Sequence, residues 1–468
     1  MSDTAAQPLD HAAALEELAL RDDYALNPEY VELVVDAADR GDGLRLRELL
    51  GALHPADVAD LMGFLSSEHR AEVAPWIPLD ELAEILPELD DRIREEVLDL
   101  LPPGALAEAL QELDSDDAAA VVEDLEEHQR REVLAAMPEG DRAAIEKSLA
   151  YEEDTAGRLM QREVMAAPQF WSVGQTIDHV RSHDEDLPEL FFDIYVVDPA
   201  YKPVGAVPVS RLLRTKRDVK LSEIMEPVTE IAVDADQEEV AYVFEKYHLI
   251  SAPVIDAGGR LVGQLTVDDV VNIIQEENRE DILALAGVTD AGRDAKVLGI
   301  SRSRIPWLAV NLATAMLGAW VISLFEGTIQ KVVALAVLMP IVSAIGGNAG
   351  TQSLTVTVRA LATRELTAAN SIRTFGREIA VGLLNGLALA PLMGVVAAVW
   401  SGDYRIGLVI CAAMVLNLLI AASVGVLTPL TLSRLKFDPA VSSAVFVTAT
   451  TDFFGFLIFL GLATIVLL

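Results

Sequence analysis

The chain has 468 residues, 52% of them hydrophobic, and a formal charge of −38. So acidic a chain excludes nucleic-acid binding, and its single cysteine, Cys411, excludes a disulfide framework within one chain. The charge is uneven: residues 1–300 hold 25 Lys/Arg against 67 Asp/Glu, a net −42, while residues 301–468 hold 10 against 6.

Met1-Ser2-Asp3-Thr4 has neither the basic start nor the apolar core of a signal peptide, so the first 300 residues are expected in the cytoplasm. Residues 1–28 are rich in Ala and acids, with a short helical pattern from Ala12 to Leu20, and read as a loosely held tail. From 29 to 155 apolar residues recur at three and four spacing, which predicts helices. Leu82-Ala83-Glu84-Ile85-Leu86 resembles Leu106-Ala107-Glu108-Ala109-Leu110. Turns fall at Leu101-Pro102-Pro103-Gly104 and Met137-Pro138-Glu139-Gly140. Stacked short helices, an α-solenoid, are the expected architecture of this acidic N domain.

The period then changes. Ile194-Tyr195-Val196-Val197-Asp198 and Val204-Gly205-Ala206-Val207-Pro208-Val209 read as strands around a turn. The phrase returns as Ala252-Pro253-Val254-Ile255-Asp256, the turn Ala257-Gly258-Gly259-Arg260, and Leu261 to Val270. Used twice, it resembles a tandem pair of CBS domains, an α+β fold, over 156–222 and 223–275. Asp268 and Asp269 begin a helix, where capping and cation binding explain them equally well. A connector over 276–302 carries Glu276, Glu277, Glu280 and Asp281 on what reads as one mostly helical segment from about 271.

Five apolar spans follow in the membrane domain 303–468, at about 304–325, 332–357, 379–400, 406–430 and 441–468. Each is long enough to cross about 30 Å of hydrocarbon at ~1.5 Å per residue. With the N-terminus inside, the inner flanks hold Arg302, Arg304, Arg359, Arg364, Arg373, Arg377, Arg434 and Lys436, and the outer flanks Lys331 and Arg405. That asymmetry satisfies the positive-inside rule and puts the C-terminus outside. Gly382 and Gly386 form a GxxxG that can pack helices or protomers.

The second span contains Met339-Pro340-Ile341-Val342-Ser343-Ala344-Ile345-Gly346-Gly347-Asn348-Ala349-Gly350-Thr351-Gln352-Ser353. Pro340 removes a helix hydrogen bond, the glycines loosen the backbone, and Ser343, Asn348, Thr351 and Gln352 bring oxygens. This reads as a polar Gly-Gly-Asn turn lining a water-filled path, with a kinked helix packed through small residues as the plainer alternative. Asp452 is the only ionisable residue read as lying well inside a span, and such carboxylates usually mark ion or proton pathways. An oxygen-only set without His or Cys suits hydrated Mg²⁺ and disfavours zinc or copper. No nucleophile–base pair or phosphate loop appears, so an enzyme is not expected. A proton- or Na⁺-coupled carrier using Asp452, or a non-transporting membrane sensor, remain as alternatives.

In combination, Gly346 to Ser353 with Arg359-Ala360-Leu361-Ala362-Thr363-Arg364, Tyr151-Glu152-Glu153-Asp154-Thr155-Ala156-Gly157-Arg158-Leu159-Met160, and the CBS pair make the chain resemble the MgtE family of bacterial magnesium transporters. The resemblance implies a homodimer in the cytoplasmic membrane, with an acidic helical N domain, two CBS domains, a plug helix and five membrane helices. It implies a Mg²⁺ channel closed by plentiful cytosolic Mg²⁺, with Mn²⁺ and Co²⁺ as further candidate ions. The family's pore carboxylate falls on Asp452 and its pore Asn on Asn348, beside Gly346 and Gly347; Asp438 matches a further acidic position. Regulatory acids fall on Glu84, Asp116, Asp236, Glu238, Asp269, Glu277, Glu280 and Asp281. Three positions depart: Ala444 replaces a second pore Asn, Ala120 an N-domain Asp, and His248 a CBS Asp. Ser210-Arg211 stands where ATP-binding members have an Arg-Asp pair, which counts against ATP.

Overall fold

The structure, a computed structural model, describes Leu15 and residues 18–182, 187–188, 190–288, 297–367, 369–440 and 443–468. The chain divides into two compact units, one ending at Ile274 and one beginning at Gln275.

In the first unit, ten short α-helices run from Pro28 to Ser148 among the described residues. Each is too short to be stable alone and must bury its apolar stripe against neighbours. Leu82, Ala83, Ile85 and Leu86 are buried on one helix and Leu106, Ala107, Ala109 and Leu110 on another, so the repeated phrase is one packing pattern used twice. Pro55–Phe64 packs on Leu79–Glu88, which packs on Pro103–Glu112, which packs on Glu127–Ala136. A second row runs Ser67–Val73, Asp91–Leu100, Ser115–Asp124 and Glu139–Ser148. This is the expected solenoid. Buried arginines tie its rungs: Arg94 donates to Asp124 at 2.6 Å and to Asp91 at 2.9 Å, and Arg70 to Glu96 and the Leu65 carbonyl. Removing one partner of the enclosed Arg94–Asp124 or Arg70–Glu96 pair costs about 3–5 kcal/mol, whereas Asp91, 80% exposed and on the same helix as Arg94, contributes little.

The expectation of a loose tail needs correcting for its described residues alone. Its helical pattern falls partly outside the described residues, but Leu15, Ala19 and Leu26 are buried in the solenoid core. Apolar side chains on an acidic segment dock where a terminal rung would otherwise expose its stripe.

Two three-stranded sheets follow, each with one parallel and one antiparallel pairing. β1 (Ala166–Pro168), β2 (Asp193–Val197) and β3 (Pro203–Pro208) lie in that order, as do β4 (Ile231–Ala232), β5 (Ser251–Ile255) and β6 (Leu261–Thr266). The identical topology is the tandem repeat read from the sequence. Tyr195 donates to Ser251, which donates to Asp193, and this buried chain links the two sheets.

The helix Val267–Leu285 follows β6. It ends before Gly287, whose φ of +67° needs no Cβ and stops the helix. Within the mostly helical connector expected up to residue 302, the helix is thus interrupted at Gly287; residues 289–296 lie outside the described ones, and Val297 opens the first span.

In the second unit the five spans are Val297–Leu324, Ala334–Ala362, Ser371–Ser401, Tyr404–Arg434 and a fifth helix, Ser443–Leu467. The second span is one uninterrupted helix through Pro340 and the glycines, so the expected Gly-Gly-Asn turn is absent. Neighbouring helices occupy the space the glycines vacate. A Cβ at Gly350 would stand 2.5 Å from Val447 Cγ1 on the fifth span. Gly382 and Gly386 face Ala422, Leu418 and Val415 of the fourth span, so this GxxxG packs helices within the chain.

Candidate functional site: an oxygen-lined path and its acidic sensors

Asp452 lies ten residues into the fifth helix, half-buried, where Oδ1 accepts a hydrogen bond from Ser343 Oγ of the second span. A carboxylate at this depth is costly, roughly 2.5–3.5 kcal/mol on insertion scales, unless protein or ions compensate it. Ser343 compensates one oxygen in part. The second span presents Asn348, Thr351, Gln352 and Thr355 on its exposed face, while Gly346, Gly350, Ser353 and Thr357 are turned inward. Thr351 and Gln352 are neighbours, and each lies three or four residues from both Asn348 and Thr355, so the four form one polar stripe on a membrane helix. Gly347 is half-buried, with Thr448 Cγ2 3.9 Å from where a Cβ would stand. Ala444 lies two turns before Asp452, and its carbonyl accepts from Thr448.

Sequence reasoning missed two buried polar residues here. Asn417 on the fourth span donates to the Val342 carbonyl at 2.9 Å. Glu378 begins the buried stripe of the third span and accepts from Ser353 at 3.0 Å. Glu378 falls one residue outside the span as read from hydropathy, and an amide carries no charge to draw notice.

Just before the spans begin, Ala284 and Leu285 pack among Leu354, Val358, Ala440 and Val447 of the second and fifth spans and the segment joining the last two. One turn earlier, burial raises the Asp281 carboxyl above its usual range, and the facing Asp438 and neighbouring Glu280 raise it further. Asp438 is exposed and accepts from the Ala440 N–H. Two sequence-separated acids are thus brought face to face. Glu277 lies half-buried one turn before Asp281, on the same helix.

A second acidic group forms within the first unit. Asp116 and Asp117 open the helix Ser115–Asp124 and face Asp269, with Asp114 nearby. Burial, then Asp269, pushes Asp116 well above the usual carboxylate range and Asp117 up to about 7. Burial raises Asp269 to about 6, although Thr266 donates to it at 2.6 Å. Asp116 Oδ1 is buried with no hydrogen-bond partner among the described residues. Packed like charges with an orphaned oxygen fit a hard cation. Among the described residues no three His, Cys, Asp or Glu side chains converge as a direct metal cage, so these carboxylates suit an ion that keeps its waters. Asp117 and Asp114 were missed by sequence; the run Asp114-Ser115-Asp116-Asp117 was the available signal.

The other expected sensor residues are not gathered there. Asp236 caps the helix Gln237–Tyr247 by accepting from the Glu238 N–H, and Glu238 is exposed in its first turn. Glu84 is exposed on the solenoid. Ala120 is exposed on the helix that bears Asp116. His248 ends Gln237–Tyr247 in the left-handed conformation, φ +54°, a capping role that no cation is needed to explain. Arg211 pairs with Glu226 and donates to the Ile224 carbonyl.

Three family models match: the MgtE divalent cation transporter over residues 339–462, the MgtE intracellular N domain over 53–154, and the CBS domain over 221–276. The magnesium transporter MgtE of Thermus thermophilus is 36% identical over 439 residues, covering 92% of this chain and 97% of the relative. This chain belongs to the MgtE family of magnesium transporters. MgtE of Bacillus subtilis is 30% identical over 421 residues, covering 89% of this chain and 93% of the relative. A structure described as the cytosolic domain of the Mg²⁺ channel MgtE in complex with ATP is 34% identical, with a TM-score of 0.49, covering 52% of this chain and 99% of its own. The chain is accordingly a multi-pass membrane protein with a helical N domain and CBS repeats, and magnesium is the family's transported substrate.

Proposed function

We propose that this MgtE-family chain forms a homodimeric, channel-like Mg²⁺ path across the cytoplasmic membrane, closed from the cytosolic side by Mg²⁺ itself. One observation carries the reading: Asp452 stands half-buried at membrane depth, held by Ser343 of a span that carries an exposed polar stripe. Polar side chains at that depth need protein or water to face, and a second copy across a water-filled path supplies both. Asp452, Asn348 and the backbone at Gly347 would meet the ion with oxygen atoms, through its water shell, while Gly346, expected to join them, is packed inward against Asn417. Sensing is assigned to the domains over 29–155, 156–222 and 223–275, through Glu84, Asp116, Asp236, Glu238 and Asp269. Closure is assigned to Glu277, Glu280, Asp281 and Asp438 at the inner end. The N-terminus lies inside, following the Lys/Arg asymmetry of the loops.

The test is Mg²⁺-dye uptake into proteoliposomes holding the full chain, with and without a proton gradient. Uptake driven by the Mg²⁺ gradient alone, lost in Asp452→Ala, supports the channel. Obligatory dependence on a second ion gradient would instead establish a coupled carrier. No uptake under any gradient would leave a membrane sensor.

A further inference from the structure

Asn417 lies in the fourth span, roughly 20 Å along it from Tyr404 at ~1.5 Å per residue, and is 1% exposed. Its Nδ2 donates to the Val342 carbonyl. In a helix that carbonyl also receives the Gly346 N–H, so the amide grips the second span at the first of its paired glycines. Its Oδ1 is buried and has no hydrogen-bond partner among the described residues. An unsatisfied amide oxygen at this depth is expensive, and a packed apolar side chain would avoid the cost.

Two glycines make room for this amide. A Cβ at Gly346 would stand 2.2 Å from Asn417 Nδ2, and one at Gly455 would stand 3.0 Å from the same atom. Gly346 is three residues beyond Ser343 on the second span, and Gly455 three beyond Asp452 on the fifth. Residues three apart share a helix face. The amide is therefore wedged between the two spans one turn from the place where Ser343 meets Asp452.

We propose that Asn417 is a positioning residue of the ion path. Its amide sets the separation at which Ser343 reaches Asp452, and its unneutralised Oδ1 adds negative potential beside Gly455, one turn beyond the carboxylate. The inference rests on the reading of Asp452 as the ion-binding group.

The test uses the full chain in proteoliposomes, measuring Mg²⁺ half-saturation and the Mg²⁺/Ca²⁺ uptake ratio. Asn417→Leu keeps bulk and removes both polar atoms. We expect its half-saturation concentration to rise about tenfold, the effect of one lost interaction with a charged centre, with the uptake ratio falling alongside. Gly346→Ala is expected to abolish uptake in the parent, because its Cβ meets the amide. Combined with Asn417→Ala, it should recover thermal stability and measurable uptake but not the uptake ratio. That double variant gives the reading if Asn417→Leu fails to assemble. Parental half-saturation and uptake ratio in Asn417→Leu, or in the double variant, would overturn the inference. So would equal damage from Gly346→Ala with and without the amide. Asp452→Ala is run in parallel: parental uptake there defeats the pore assignment itself, whatever Asn417 does.

Discussion

Ser343 and Asp452, 109 residues apart in the chain, meet through a hydrogen bond from the serine hydroxyl to the carboxylate. One residue belongs to the second span and the other to the fifth, so the contact ties together the two helices to which the ion path is assigned. The serine supplies a donor that hydrocarbon cannot, and it orients the carboxylate.

Asp452→Ala should abolish Mg²⁺ uptake without changing the assembly on size-exclusion chromatography. Asp452→Glu should retain more flux than Asp452→Asn, because a hydrated divalent ion needs charge as well as oxygen. Ser343→Ala should lower flux about tenfold, as expected when a hydrogen bond to a charged group is lost at ~1.4 kcal/mol per decade. A Ser343→Ala protein with parental flux would mean that the carboxylate is positioned by other contacts.

Asn348→Ala should weaken flux or selectivity more than Thr357→Ala. The two residues lie on different faces of one helix: Asn348 is exposed in the polar stripe, while Thr357 is buried and donates to the Ser353 carbonyl. Equal effects in an uptake assay would reduce the stripe to a packing surface.

Neutralising Asp269, Glu277, Glu280 and Asp281 together should flatten the Mg²⁺ dependence of open probability. One site held at ten times its Kd contributes about 1.4 kcal/mol, and swinging a gate from 99:1 to 1:99 needs about 5.5 kcal/mol, so about four such sites suffice. The substitutions remove bridging ligands and also remove repulsion, including that between Asp281 and Asp438, so resting activity has no fixed direction. Single-channel recording and limited proteolysis of the helix Val267–Leu285 across a Mg²⁺ titration give the answer. An unchanged midpoint and steepness would return these acids to an ordinary solvated surface.

The Asp116–Asp117–Asp269 group predicts a pH dependence of local stability. Burial and mutual repulsion raise the folded-state values above the ordinary 3.8, to about 7 for Asp117 and about 6 for Asp269. Between 3.8 and about 7 the folded state therefore holds more protons than the unfolded one, and stability falls as pH rises. Without Mg²⁺, hydrogen-exchange protection of Ser115–Asp124 should be highest in acid and decline through pH 6–7. Saturating Mg²⁺ at pH 8 should restore it, since a divalent ion replaces the lost protons. Protection that is flat with pH would show that the three carboxylates do not interact.

Composition and periodicity alone determined the helical repeats, the two strand–turn–strand units, the five spans and the lone deep aspartate. These are local properties: apolar spacing matches the period of the element, and hydropathy matches the solvent. Tertiary structure decided the rest. Gly346, Gly347 and Gly350 read locally as a loosened turn, yet the chain stays helical there because Asn417 and Val447 occupy space that side chains would otherwise fill. Asp116 and Asp269, like Asp281 and Asp438, are separated by more than 150 residues, and only packing makes them neighbours whose charges repel. Asn417 carries no charge and sits in an ordinary apolar run, so nothing local distinguishes it. Its significance arises from a Val342 carbonyl and two glycines on other helices, and no spacing rule along one strand of sequence encodes a meeting of three.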